Sequence, residues 1–99
     1  MKLTFLVYHD VLDDRLTKAL DELRIDYYTR WEYVKGKGHQ TDGHLGTRSY
    51  PGYNNVRMIA FVDETTLLQL INRIENLNSL VEKEDDKIRL FQVPLDRIV

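Results

Sequence analysis

Three histidines, His9, His39 and His44, and the aspartates Asp10 and Asp42 carry the donor atoms with which this 99-residue chain could hold a metal ion. Imidazole suits nickel, copper and zinc. His39 and His44 stand five apart in a loop-like stretch where spacing sets no geometry, so they read equally as solvent-exposed polar side chains. A second chemistry overlaps the first. Gly36 and Gly38 form a Gly-x-Gly beside Lys35 and Lys37, and such glycines either serve turns or let backbone N–H groups approach a phosphate. No set of nucleophile, base and orienting acid is legible. Ser49 and Ser79 lack a recognisable elbow, and the carboxylates fall on helix faces where solvated charge explains them, so the expectation is a protein that is not an enzyme.

The elements that must position these residues follow from periodicity. Lys2 to Tyr8 is rich in β-branched and aromatic residues and reads as a central strand with both faces apolar. Leu12, Leu16, Ala19, Leu20 and Leu23 then repeat at three and four residues, opposite a charged face, which predicts an amphipathic helix with Asp10 as its N-cap. Ile25 to Val34 has strand composition. Asn55 to Val62 is a third strand, Asp63 caps a second helix striped by Leu67, Leu70, Ile71, Ile74 and Leu77, and Lys87 to Val93 is a fourth strand closed by Pro94.

The order β-α-β-β-α-β, with no repeat or linker, predicts one domain over residues 1–99. Its fold class is α+β, a ferredoxin-like sandwich in which a four-stranded antiparallel sheet carries two helices on one face. Between strands two and three lies a long loop at about 36–55. Compact domains usually join elements with roughly four to six residues, so a loop of this length is the first place to look for function. Both alternating sets of each strand hold large apolar residues. Whichever set meets the helices, the other leaves an apolar surface of the kind that marks an interface, and an oligomer is expected.

Composition excludes several classes. With no cysteine there is no disulfide scaffold, thiolate catalysis or cysteine-ligated metal. A formal net charge of -2 argues against a general nucleic-acid binder, although Val34 to Asn55 is a local basic island of net +2. The aromatic residues Tyr27, Tyr28, Trp31 and Tyr33 lack the basic-Gly-aromatic run of RNA-stacking sheets, which leaves packing as their role. No run approaches membrane-spanning length and no signal peptide is legible at the N-terminus, so the expectation is a soluble, cytoplasmic protein without membrane insertion.

Two separated segments carry a family resemblance. VKGKGHQ, Val34 to Gln40, resembles the V-x-G-x-G-x-Q segment that opens the long loop of the nitrogen-regulatory PII signalling proteins, and DKIRLFQVPLDRIV, Asp86 to Val99, resembles their closing strand. The resemblance implies a homotrimer that binds small effectors in clefts between subunits and reports occupancy to a regulated protein through its loop. It implies ATP or ADP as effector, with 2-oxoglutarate added through magnesium. Carried onto this chain, Gly36 and Gly38 would offer backbone to the nucleotide, with the charge of Lys37 nearby. Gln40 would be the polar contact at the loop base, and Lys87 would meet a phosphate.

The chain departs from that pattern at Thr41, where the family has a lysine. Its loop is shorter and bears histidine, and Val99 comes before the family's C-terminal arginines. Fewer positive charges point away from a polyphosphate and toward an adenine mononucleotide, a smaller anion or a divalent metal. The alternative is a metal-binding or metal-tolerance protein on the same trimeric scaffold, with His39 and His44 as ligands.

Overall fold

Alternation in the first strand decides how the sheet lies. In β1, Lys2–His9, the side chains of Thr4, Leu6 and Tyr8 are buried while Leu3, Phe5 and Val7 are half-buried, so the first set faces the helices. A computed structural model describes residues 1–99. After a 3-10 turn at Asp10–Leu12 come α1, Asp13–Glu22, then β2, Thr29–Val34, and β3, Asn54–Phe61. The order continues through α2, Glu64–Asn78, a second 3-10 turn at Glu84–Asp86, and β4, Arg89–Pro94. No helix is long and apolar enough to cross a membrane.

The strands form one antiparallel sheet in the order β2-β3-β1-β4, with β1 paired to β3 and to β4 and β2 paired to β3. This is the expected ferredoxin-like α+β fold. Leu16, Leu20, Leu67, Leu70 and Ile74 from the helices meet Leu6, Tyr8, Ile59 and Phe61 from the sheet in one buried core. The helical repeats exist to cover that face, and burying each such side chain contributes roughly 1.5–3 kcal/mol. On the opposite face Trp31, Phe91 and Val93 stay about half exposed, beside the half-buried Phe5, Val7, Val56 and Met58.

Two local expectations change and a third holds. Strand β2 begins at Thr29, not Ile25, because Ile25 is buried in the core and its N–H bonds to the Leu20 carbonyl at 2.9 Å. The residues between then cross to the sheet: Tyr27 packs edge-on to Phe61, and Tyr28 lies under the Arg57 guanidinium, 4.7 Å from ring centroid to Cζ. Asp10 does not cap α1; it opens the 3-10 turn, and its carboxylate meets His9 Nε2 at 3.3 Å. Asp63 does cap α2, accepting from the Thr65 N–H at 3.0 Å. That contact, with the Thr66 hydroxyl bond, holds its carboxyl below the usual carboxylate range.

Helix α1 also turns a charge inward. Asp13, expected on the solvated face, accepts from Tyr8 Oη at 2.6 Å, Asn55 Nδ2 at 3.0 Å and Arg57 Nη2 at 3.0 Å. Arg57 is fully buried and also donates to Tyr8 Oη and the Thr17 hydroxyl. Burial alone pushes the Asp13 carboxyl up, but the three hydrogen bonds and the Arg57 charge outweigh it and the pKa falls below its ordinary value. Burial and the bond to Asp13 drive the Tyr8 phenol far up, so it stays a donor.

Candidate functional site

The long connection between β2 and β3 is anchored rather than loose at its base. Gly36 and His44 form an antiparallel bridge, N–H to carbonyl at 2.9 Å one way and 2.7 Å the other. The bridge turns the Gly-x-Gly back on itself. A Cβ on Gly36 would lie 2.3 Å from Asn54 Nδ2, and Gly43, at φ +79°, would place one 2.8 Å from the Gly36 carbonyl oxygen, so both positions require glycine. Further out, Thr47 and Tyr50 close a turn, and Asp10 N–H ties the returning limb at the Tyr53 carbonyl.

That closed base forms one wall of a cleft of about 420 Å³. Gly36, Lys37, Gly38 and Thr41 line it from the loop; Glu84, Asp85, Lys87 and Arg89 line it from the connection into β4; Val7 and Phe91 floor it from the sheet. Four of the expected ligand residues, Gly36, Lys37, Gly38 and Lys87, are therefore brought together although about fifty positions separate the loop from the last strand. Gln40 is exposed, at φ +57°, between lining residues His39 and Thr41 but not itself in the wall. The backbone donors are engaged: Gly36 N–H bonds to the His44 carbonyl, and Gly38 N–H bonds to Thr41 Oγ1 at 3.0 Å. Of these, only the Gly38 donor is held by a side chain that can rotate away.

Charge in the cleft is nearly balanced. Lys87 Nζ lies 3.0 Å from Glu84 Oε2, and Arg89 Nη2 lies 3.9 Å from the other Glu84 oxygen. With Lys37 and Asp85 the walls hold three cations against two carboxylates. An anion entering here meets a small positive excess and must compete with Glu84 for Lys87.

The histidines sort differently from their spacing in sequence. His44 is buried and stacks on His9, ring centroids 3.9 Å apart and planes within 8° of parallel. Asp86, not suspected from sequence, completes a cluster whose ligand atoms all lie within 4.8 Å of one another. His39 is exposed on the cleft wall and lies outside that cluster. Burial lowers the His9 pKa, as does the neighbouring His44, against the opposing pull of Asp10, Asp86 and Asp85.

The fold class is thus a ferredoxin-like domain whose glycine-built loop base closes a polar cleft against the last strand. The chain belongs to the family described as nitrogen regulatory protein P-II, whose profile matches residues 1–99. Solved structures share the fold, among them two of one protein. A nitrogen regulatory PII-like protein from Thiomonas intermedia K12, CPII, bound to ADP, AMP and bicarbonate, superposes with a TM-score of 0.64 at 17% identity, covering 99% of this chain and 94% of that one. CPII from the same organism bound to ADP and bicarbonate gives 0.65 at 17% identity, with 97% and 88% covered. No curated protein matches the chain by sequence.

Proposed function

We propose that this protein is a regulatory member of its family that binds a small anionic effector, an adenine nucleotide, in the cleft between the loop base and the start of β4. The observation that carries the reading is the convergence of Gly36, Lys37, Gly38 and Lys87 on one 420 Å³ space. The adenine nucleotides bound by the CPII structures at 17% identity support the ligand class. The near-balanced walls favour few phosphates, so AMP and ADP bind no more than about tenfold weaker than ATP, a difference of about 1.4 kcal/mol. Because a ligand that binds only the folded state raises its stability by mass action, a melting panel with AMP, ADP and ATP tests the class directly. Upward shifts with adenine nucleotides support it; a flat panel at millimolar concentration removes it.

The effector site lies between subunits of a homotrimer. The support is the apolar sheet face of Trp31, Met58, Phe91 and Val93, which a free monomer would leave in water. Light scattering coupled to size exclusion should return three chains at micromolar concentration, whereas a clean monomer would contradict this assembly. The loop beyond the Gly36–His44 bridge then reports occupancy to a regulated protein, with Gln40 and Thr41 at the point where it leaves the cleft.

A further inference from the structure

We infer that His9, His44 and Asp86 form a binding site for a first-row divalent cation of the zinc, nickel or copper type, adjoining the effector cleft, whose wall His44 shares. His44 Nδ1 lies 2.8 Å from Asn54 Oδ1 and His44 Nε2 lies 3.0 Å from Asp86 Oδ1, so both ring nitrogens face oxygen acceptors. A neutral imidazole has one N–H and serves only one of them. With the N–H on Nδ1 toward Asn54, the Nε2 lone pair faces the Asp86 carboxylate, a position that a shared cation fills.

His9 adds a second nitrogen to the same carboxylate. Its Nε2 is oriented by Asp10 at 3.3 Å, which leaves Nδ1 as the free lone pair, and that atom is buried with no hydrogen-bond partner. It lies 3.5 Å from the same Asp86 oxygen. His9 Nδ1 and His44 Nε2 thus both lie beside Asp86 Oδ1, three donors gathered where one cation could bind.

The two separations from Asp86 match a single ion. Nitrogen and oxygen ligands held about 2.1 Å from one ion stand about 3.0 Å apart at a right angle and about 3.4 Å apart at a tetrahedral one, and the observed separations from Asp86 Oδ1 are 3.0 and 3.5 Å. His44 also directs its other nitrogen at the Asn54 oxygen, the arrangement that orients metal-bound imidazoles, and His9 Nε2 lies 3.3 Å from an Asp10 oxygen. Parallel rings do not aim both lone pairs at one point, so capture requires one ring to turn. His44 is pinned by Asn54, and His9 is the ring that moves. Two nitrogen donors with one carboxylate exclude magnesium and calcium as preferred ions. A bound ion would tie the end of β1 to the β2–β3 loop and to the turn before Lys87.

Calorimetric titration with Zn²⁺ alone, without nucleotide, tests this site independently of the effector reading. The expected result is one ion per chain at micromolar concentration or below. His9→Gln, His44→Gln and Asp86→Asn should each weaken binding at least tenfold, and Asp10→Asn, which removes only an orienting partner, by about ten- to a hundredfold. His39→Gln should bind as the wild type does. Co²⁺ uptake by the wild type, read from its visible ligand-field bands and reversed by Zn²⁺, needs no variant to fold. No Zn²⁺ uptake below millimolar concentration, unchanged uptake in a His9→Gln, His44→Gln double variant, or loss of uptake in His39→Gln would overturn the site.

Discussion

Replacing Asp13 with alanine should lower the melting temperature by at least about 10 °C. The substitution leaves the Arg57 guanidinium, fully buried, without the carboxylate that compensates it, and strips acceptors from Tyr8 and Asn55 as well. Breaking one partner of a buried pair costs about 3–5 kcal/mol, a large share of the roughly 5–15 kcal/mol that holds a domain folded. In a domain of this size 1 kcal/mol moves the midpoint by about 4–8 °C. Asp14→Ala, one residue away on the exposed face, should change stability by no more than about 0.5 kcal/mol. Thermal melts of the two variants check the claim, and an Asp13→Ala midpoint within 2 °C or so of wild type would contradict it.

The same carboxylate sets an acid limb. Because the Asp13 pKa is depressed in the folded state, its contribution is fully present above the unfolded value of 3.8 and is lost as pH falls through the lower folded value. Wild-type stability should therefore fall through that window. Asp13→Asn, which has already lost the contribution, should show a flatter profile there.

Much of this architecture was written in one-dimensional pattern. Leu16, Leu20, Leu67, Leu70 and Ile74 announce their helices by spacing, and the strands by composition, because each element must bury one face. Arg57 was legible too in principle, since it alternates in step with Ile59 and Phe61 on the helix-facing side of β3. Its partner Asp13 was not, because an aspartate in a first helical turn is ordinarily explained by the helix dipole. The cleft was half legible: the Gly-x-Gly marked the loop base, and Lys87 came from family resemblance. Glu84 and Arg89 carry no local signal, and only the β1–β4 register brings them opposite the loop. The histidines show the limit of spacing most plainly. His39 and His44 are near in sequence and both line the cleft, yet only His44 joins His9 and Asp86 once the sheet closes.

In the cleft, Lys87→Ala should weaken nucleotide binding about ten- to a hundredfold, the equivalent of the roughly 1.5–3 kcal/mol that a hydrogen bond to a charged group contributes. The lower half of that range is expected, because Lys87 gives up its contact with Glu84 when it meets a phosphate. The converse change has the opposite sign. Glu84 is 64% exposed, so its hold on Lys87 is screened and worth about 0.2–1 kcal/mol. Glu84→Gln should therefore strengthen anion binding by roughly two- to fivefold. Opposed effects from two residues in one ion pair are hard to obtain from general destabilisation, and calorimetry on both variants reads them.

The measurement that bears most directly on the account is a calorimetric titration of AMP and of ADP into the wild-type protein, with the Lys87→Ala variant as comparison. Saturable binding to one site per chain, weakened at least about tenfold by Lys87→Ala, is the predicted result. Absence of binding by either nucleotide at millimolar concentration, or an affinity indifferent to Lys87, would show that the cleft between the loop base and β4 is not the effector site.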